Sequence, residues 1–201
     1  MLWWKLFRLK SKLASPDENV RKEAALALGA IRSSRSVELL IQALEDNSTI
    51  VRVSAKTSLV GLGSITVRPL KDMHSRGNVD AKQVLSRIAD ALLPQLKSAY
   101  CNLAIQLLAE IGDTRAIKPL IEVLENRVPT MRMDAARALG KFGSQARQAV
   151  PALDRLLMDH ELGGMIRESA AVALSDIIGP EDSAAHLVAA EVAEKLNRPK
   201  H

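Results

Sequence analysis

The feature that most constrains this chain is an internal repeat of about 31 residues. Five segments share one pattern: an apolar or aromatic first residue, followed in four of the five by Arg, then Ala four residues after the start and Leu eight residues after it. They begin at Val20, Val51, Tyr100, Met131 and Ile166. Successive starts are 31, 49, 31 and 35 residues apart, so the regular unit has room for two helices and two turns. The chain is therefore expected to stack helical hairpins.

The first part of each unit has helical spacing. Val20, Ala24, Leu28 and Ile31 recur at intervals of four, four and three, which places one apolar stripe on a helix. The Gly that closes each segment suits a left-handed C-terminal cap. The residues expected to cap the N-termini of these helices are Asp17, Ser48 and Thr130.

A second motif follows each closing Gly and predicts a second helix. It runs through residues 36–40, 66–70, 116–120 and 149–152. Proline is tolerated in the first turn of a helix, where the amides have no partner within the helix. We therefore expect Pro69, Pro119 and Pro151 to mark the starts of second helices.

Two irregular gaps predict where the repeat is interrupted. The gap of 49 exceeds the unit by 18 residues, and Val84, Ile88 and Leu92 have helical spacing, so we expect an inserted or degenerate helix near residues 79–96. The gap of 35 adds four residues, which we assign to a protruding loop over 158–164. The predicted fold is an all-α, right-handed α-α superhelix of about five hairpins, with residues 1–13 as a separate amphipathic helix and residues 14–201 as the solenoid.

The repeated residues resemble the HEAT-like repeats of the phycobilisome-lyase type. The shared features are the Val-Arg pair, the Ala-Ala-x-Ala-Leu-Gly core and the Pro-Leu start of the second helix, and they cover residues 15–180. The third unit departs from the pattern, with Tyr100 and Cys101 in place of Val-Arg. The resemblance implies the architecture. It leaves activity open, because that family includes lyases, chaperone-like factors and scaffolds.

The charge of the chain is unevenly distributed. Of a net charge of +5, residues 1–13 contribute +4, and residues 14–201 hold 24 basic against 23 acidic side chains. A nearly neutral body does not favour a nucleic-acid partner, which would need several phosphate contacts from one basic face. The single cysteine, Cys101, cannot form an internal disulfide, so we expect a cytoplasmic protein.

Four arginines share one register, one residue into each first helix: Arg21, Arg52, Arg132 and Arg167. We expect them to form a structural ladder that bonds turn carbonyls or acids such as Asp46. The alternative is a stripe that binds anions.

Residues with catalytic or metal-binding character are sparse. His160-Glu161 is the one His-Glu pair, and His74, His186 and His201 have no His or Glu at helical ligand spacing. Cys101 has no second cysteine, and the chain has no Gly-rich phosphate loop and no Gly-x-Ser-x-Gly. We therefore expect no metal, no cofactor and no enzymatic activity.

The second helices of such repeats usually line the concave face, where binding is expected. Aligning the prolines gives one row of Glu38, Arg68, Lys118 and Val150 and a second row of Gln42, Asp72, Glu122 and Asp154. The second row is mostly acidic, which suits a polar or basic segment of a protein partner. The same pattern would also arise on helix faces that are simply solvated.

Residues 1–13 form a second candidate site. Leu2, Leu6, Leu9 and Leu13 make one helical stripe, and three of the five aromatic residues of the chain lie beside it. The residues that carry the expected contacts are Trp3, Trp4, Lys5, Phe7 and Arg8. Three interpretations remain open: a cap over the first repeat, a docking helix for a partner groove, and a basic helix lying on an anionic membrane.

These features favour a non-catalytic protein-binding scaffold. One alternative is an accessory or lyase-type subunit acting on a chromophore-bearing protein, for which tetrapyrrole binding and a dependence on Cys101 or His160 would be expected. The other is an adaptor held at the membrane surface by residues 1–13. A closing helix is expected over 183–196, which would cap the array.

Overall fold

The computed structural model describes residues 2–98 and 101–179, which hold eleven α-helices and no strand. The expected all-α class, built from repeated helical hairpins, is confirmed. The closing helix expected over 183–196 lies outside the described residues, as do His186 and His201. The chain divides into two compact units, unit 1 (Met1–Asp90) and unit 2 (Ala91–His201).

Six helices begin in the described part of unit 1. They are α1 (Leu2–Leu13), α2 (Glu18–Gly29), α3 (Ser34–Ala43), α4 (Thr49–Leu62), α5 (Ser64–Ser75) and α6 (Val79–Leu92). The first helix of one repeat, α2, packs on the first helix of the next, α4, and the second helices α3 and α5 pack on each other in the same way. Leu28, Leu40, Leu59 and Leu70 are completely buried, so the apolar stripe read from the sequence forms the core of this unit.

Unit 2 is built in the same way, and its described residues form five helices. They are α7 (Asn102–Ile111), α8 (Ile117–Val123), α9 (Pro129–Lys141), α10 (Val150–Met158) and α11 (Gly164–Ile178). Short 3-10 segments accompany these helices at Leu93–Lys97, Thr114–Ala116 and Gly143–Ala149. The first helices α7, α9 and α11 pack in sequence, α7 on α9 and α9 on α11. Leu108, Leu120 and Leu139 are fully buried among them.

The closing glycines have two different roles. Gly112, with φ 78° and ψ 27°, is the expected left-handed glycine cap, whereas Gly63 ends α4 with a positive φ of 64° but a ψ of −126°, outside the left-handed helical region. Gly29 does not cap in this way, and the expectation was wrong for it. A Cβ atom on Gly29 would lie 2.6 Å from Ser58 Oγ and 2.7 Å from Ser58 Cβ, so this glycine allows α2 and α4 to approach closely.

The helix starts agree in part with the sequence. Asp17 caps α2 by accepting a hydrogen bond from Asn19 N at 2.8 Å, and Ser48 occupies the N-cap of α4 without a capping bond from its side chain. Thr130 is not a cap, because α9 already begins at Pro129.

Most of the expected proline positions and both irregular gaps of the repeat agree with the structure. Pro119 and Pro151 lie in the first turns of α8 and α10, as expected, whereas Pro69 lies inside α5, which begins five residues earlier at Ser64. The extra helix expected near residues 79–96 is α6, which the 3-10 segment Leu93–Lys97 follows. The loop expected over 158–164 spans residues 159–163 between α10 and α11 and is largely exposed.

Candidate protein-binding surface

The polar rows expected on the second helices are exposed. In unit 1, Glu38 and Gln42 lie on α3, and Arg68 and Asp72 lie on α5. Glu38 accepts a hydrogen bond from Arg35 Nη1 at 2.6 Å, so part of its charge is neutralised within its own helix. The face formed by α3 and α5 therefore offers Gln42 and Asp72 to a partner more freely than Glu38.

A groove runs along this face of unit 1. Its floor is apolar, with Ile41, Pro69 and Met73, and it holds a volume of ≈ 460 Å³. The remaining lining residues are Gln42, Glu45, Asp72, Arg76, Gly77 and Asn78. An apolar centre with a polar rim is the usual composition of a protein–protein interface. We call this the α3–α5 groove.

Sequence reasoning missed several residues of the α3–α5 groove. Glu45 lies three residues after Gln42, and Arg76 lies four residues after Asp72. Both lie just past the last residue of their helix, Ala43 of α3 and Ser75 of α5, and extending the two rows to the helix ends would have identified them. Gly77 and Asn78 follow the C-terminus of α5, where the repeat pattern stops, and the alignment carried no signal for them.

In unit 2 the charged residues of the two rows are also exposed, whereas Val150 is half-buried. Lys118 and Glu122 lie on α8 and Asp154 lies on α10. Although Asp154 is exposed as a whole residue, partial desolvation of its carboxylate raises the pKa of Asp154. A cleft of ≈ 230 Å³ opens nearby, but none of these three residues lines it; its charged residues are Glu125, Arg132, Arg155 and Asp159.

The register arginines of unit 1 are held by acids and turn carbonyls. Arg21 donates from Nε and Nη2 to the two carboxylate oxygens of Asp46, at 2.8 and 3.0 Å, and from Nη1 to the carbonyls of Ser15 and Pro16. The hydrogen bonds from Arg21 lower the pKa of Asp46. Arg52 donates from Nη1 to the carbonyls of Asp46 and Asn47, at 2.7 and 3.0 Å. Asp46 therefore ties two successive repeats together.

The corresponding arginines of unit 2 have different surroundings. The Nε atoms of Arg132 and Arg167 are buried and have no hydrogen-bond partner among the described residues. Arg132 lines the cleft of unit 2, and Arg167 Nη1 lies 3.4 Å from His160 Nδ1 in the exposed loop. A shared register thus does not give these four side chains a shared environment, and a structural ladder remains a prediction for Arg132 and Arg167.

The helix α1 packs against α2 and α3 with its leucine side. Leu9 is buried and Leu6 and Leu13 are half-buried, but Leu2 of the expected stripe is 54% exposed, and Trp3 and Trp4 are 71% and 63% exposed. Phe7, Lys5 and Arg8 are exposed as well. The helix therefore covers part of the first repeat with its leucines and presents its aromatic residues to the solvent.

The residues considered for chemistry are not brought together. Cys101 is 2% exposed, its Sγ lies 3.8 Å from Met131 Sδ, and burial raises the pKa of the thiol, which reduces the thiolate needed for nucleophilic attack. His160 is exposed in the loop after α10. Within residues 2–98 and 101–179, no group of three or more His, Cys, Asp or Glu side chains could hold a metal ion. No helix in the same ranges is long and apolar enough to cross a membrane.

The chain is similar to HEAT-repeat proteins, and three of its relatives are named as enzymes or as proteins of bilin biosynthesis. A family model for HEAT repeats matches residues 8–92 and 89–175. The chain is 31% identical over 144 residues to phycocyanobilin lyase subunit alpha of Picosynechococcus sp., covering 71% of this chain and 52% of the relative. It is 31% identical over 174 residues to bilin biosynthesis protein PecF of Nostoc sp., covering 81% and 86%. Against deoxyhypusine hydroxylase-B of Oryza sativa subsp. japonica it is 29% identical over 179 residues, covering 82% and 58%.

The chain was also compared with solved structures. Human deoxyhypusine hydroxylase in complex with glycerol has a TM-score of 0.44 at 20% identity, with 95% of this chain and 82% of that chain covered. The complex of CpcE and CpcF of phycocyanin lyase from Nostoc sp. has a TM-score of 0.34 at 22% identity, with 96% and 88% covered.

These relatives correct one of the sequence-based expectations. The expectation that the chain has no enzymatic role is wrong, because its curated relatives are named as a lyase subunit, a bilin biosynthesis protein and a hydroxylase. The chain spans about half the length of two of these relatives, 52% of the lyase subunit and 58% of the hydroxylase.

Proposed function

The chain belongs to the family of HEAT repeats, and we propose that it serves as the polypeptide-binding subunit of a bilin-lyase-type enzyme. The observation that carries this proposal is the 31% identity to a bilin biosynthesis protein of which the chain covers 86%. The similarity to a phycocyanobilin lyase subunit supports the same chemical class. In this role the chain holds a chromophore-bearing protein while the bilin is attached to that protein.

The α3–α5 groove is the proposed contact for that protein. Glu45 and Asp72 give its rim two carboxylates against the single cation of Arg76, and Ile41 and Met73 supply apolar surface between them. Burying apolar side chains supplies affinity, while the carboxylates select a segment that carries basic or hydrogen-bond-donating groups. The segment expected in the groove is therefore basic or polar, with at least one apolar anchor.

The bilin chemistry itself is not assigned to Cys101. Its thiol is 2% exposed and lies beside Met131, so the folded chain does not present the sulfur to a tetrapyrrole. A Cys101→Ser variant should therefore retain the activity, which separates this proposal from one in which the chain carries the bilin on its own cysteine.

The test is a bilin-attachment assay with the purified chain. Phycocyanobilin and a phycobiliprotein subunit lacking its chromophore are incubated with and without the chain, and in parallel with a second lyase subunit added. The readout is bilin absorbance that stays with the acceptor after denaturation. We expect the chain to increase that absorbance, and Asp72→Lys to reduce the increase about fivefold because the rim then repels a basic segment.

Glu23→Lys is the matched control for this assay. Glu23 is an exposed carboxylate on the first helix α2, away from the α3–α5 groove, and its reversal changes the net charge by the same amount. Equal losses from Glu23→Lys and Asp72→Lys would remove the groove from the proposal. If the chain has no effect in either arm and phycocyanobilin absorbance is unchanged on adding it, the bilin-lyase assignment fails.

A further inference from the structure

The exposed face of α1 is an aromatic cluster. Trp3 and Phe7 stack with ring centroids 5.7 Å apart and planes 15° apart, and Trp4 meets Phe7 edge-on at 5.8 Å. Phe7 is 54% exposed, so these rings pack on one another more than on the core. A contiguous exposed apolar patch of this kind marks an interaction site in a folded protein.

Basic side chains border this aromatic cluster. Lys5, Arg8, Lys10 and Lys12 are exposed, and the sequence has no acidic residue before Asp17. At about 100° per residue along a helix, Arg8 and Lys12 fall on one side of the aromatic residues and Lys10 falls on the other. Lys10 also shares a shallow groove of ≈ 210 Å³ with Trp3, Phe7 and Arg35 of α3.

We propose that α1 binds the surface of a membrane that contains anionic lipid, with the aromatic cluster at the level of the headgroups. Tryptophan and phenylalanine insert shallowly at the interface, and flanking Lys and Arg attract anionic headgroups. This inference does not rest on the enzyme proposal, because α1 lies outside the α3–α5 groove.

The geometry favours a lipid surface over a groove in another protein. A docked helix inserts its leucine face into the groove of a partner, but Leu6, Leu9 and Leu13 of α1 are already buried or half-buried in the folded chain. The face that remains exposes the aromatic rings with cations on both sides, and α1 carries no acidic residue. Such a face complements a flat anionic surface better than it complements a concave one.

The test is vesicle co-sedimentation of the full chain. Vesicles of phosphatidylcholine alone are compared with vesicles that also contain phosphatidylglycerol, at low and at physiological salt. We expect binding to the anionic vesicles that weakens as salt rises, because the Debye length shortens to about 8 Å at physiological ionic strength. Binding should fall more than tenfold in Trp3→Gln/Trp4→Gln/Phe7→Gln, which keeps every charge.

Two further variants separate charge location from charge amount. Lys5→Gln/Arg8→Gln should weaken binding by about fivefold for each charge removed, given about 1 kcal/mol per basic residue near the surface. Lys71→Gln/Lys82→Gln removes two exposed charges elsewhere in unit 1 and should leave binding unchanged.

Three results would overturn the proposal. They are sedimentation of the aromatic variant equal to that of the unmodified chain, equal binding to both kinds of vesicle, and no vesicle binding at all. If vesicle binding is absent but the chain self-associates through Trp3, Trp4 and Phe7, as measured by analytical ultracentrifugation, the occupant of the face is a second copy of the chain and the membrane assignment is wrong.

Discussion

Asp46 serves two successive repeats at once. Its carboxylate accepts two hydrogen bonds from Arg21, and its backbone carbonyl accepts one from Arg52. Asp46 Oδ1 also accepts from the backbone amide of Ser48, at 2.8 Å, which fixes the turn before α4. The carboxylate of Asp46 thus holds the turn before α4 and also the side chain of Arg21 from the preceding repeat.

This arrangement predicts a pH-dependent contribution to stability. Because hydrogen bonds from Arg21 lower the folded-state pKa of Asp46, its contribution is fully present above about pH 4, the unfolded value, and is lost as pH falls through the folded pKa. Asp46→Asn should lower the free energy of unfolding at neutral pH by about 1 kcal/mol, a value reduced by partial solvent screening. Below the folded pKa, the difference from the unmodified chain should disappear.

Urea unfolding followed by far-UV circular dichroism, at neutral pH and at steps through the acidic range, checks this prediction. Asp72→Asn serves as the control, since Asp72 is an exposed carboxylate on α5. A difference between Asp46→Asn and the unmodified chain that stayed constant over the whole pH range would show that the ionised state of Asp46 does not matter.

At the scale of elements, the contact between first helices depends on residues without side chains. Gly29 faces Ser58 across α2 and α4, and Ser58 Oγ donates to the carbonyl of Ala25 at 3.0 Å. Gly140 has the same role in unit 2, where a Cβ would lie 3.0 Å from Asp176 Oδ2 and 3.2 Å from Ala173 Cα. Both glycines stand nine residues after the start of their repeat.

Gly29→Ala should therefore destabilise the protein even though Ala is the better helix former. Placing a methyl group against Ser58 costs about 1–3 kcal/mol of overpacking, which outweighs a propensity gain of about 1 kcal/mol. Gly61→Ala is the matched control, because Gly61 also lies within α4 but a Cβ atom added there would meet no neighbouring atom within 4 Å, and this variant should be slightly more stable. The measurement is the thermal unfolding midpoint of both variants. A higher midpoint for Gly29→Ala than for the unmodified chain would contradict the close-approach explanation.

The helices were predictable because their periodicity is local, whereas the contacts between them were not. The stripe through Val20, Ala24 and Leu28 specifies a buried helix face on its own. The role of Gly29 depends on Ser58, which is one repeat away, so Gly29 looked like a cap when only its own segment was considered. The start of α5 was misplaced for a similar reason, since Pro69 suggested a first turn that the chain begins earlier, at Ser64.

The candidate sites were predictable to the level of a helix face. Gln42 and Asp72 were expected on an exposed face and do line the α3–α5 groove, but the groove also contains Gly77 and Asn78, which follow the end of a helix and belong to no repeated position. The sequence did not predict whether Trp3 is buried or exposed, because a leucine stripe beside aromatic residues suits a cap, a docking helix or a membrane contact equally well.

For the whole molecule, the decisive property is where the positive charge lies. Residues 1–13 carry +4 of the net +5, and the remaining 24 basic and 23 acidic side chains nearly cancel. Attraction to a polyanion depends on clustered charge more than on the total, since charges separated by more than a Debye length act independently. We therefore expect α1 to dominate the interaction of the chain with any polyanion.

Two variants with the same net charge test this expectation. The first replaces the four basic residues of α1, Lys5, Arg8, Lys10 and Lys12, with Gln. The second replaces four exposed basic residues outside α1, Lys71, Lys82, Arg137 and Arg147, with Gln. Elution from a heparin column should shift to much lower salt for the first variant and only slightly for the second. Equal shifts would mean that the total charge, and not α1, controls the interaction.

The aromatic composition of α1 also determines what optical methods can observe. Both tryptophans of the chain are Trp3 and Trp4, and both side chains are largely exposed in the folded state. Intrinsic tryptophan emission should therefore already resemble that of indole in water before denaturation, and it should change little when the repeats unfold. Thermal unfolding followed by tryptophan fluorescence should therefore show no clear transition even though the repeats unfold. The same emission reports changes in the surroundings of α1, because no other part of the chain contains a tryptophan.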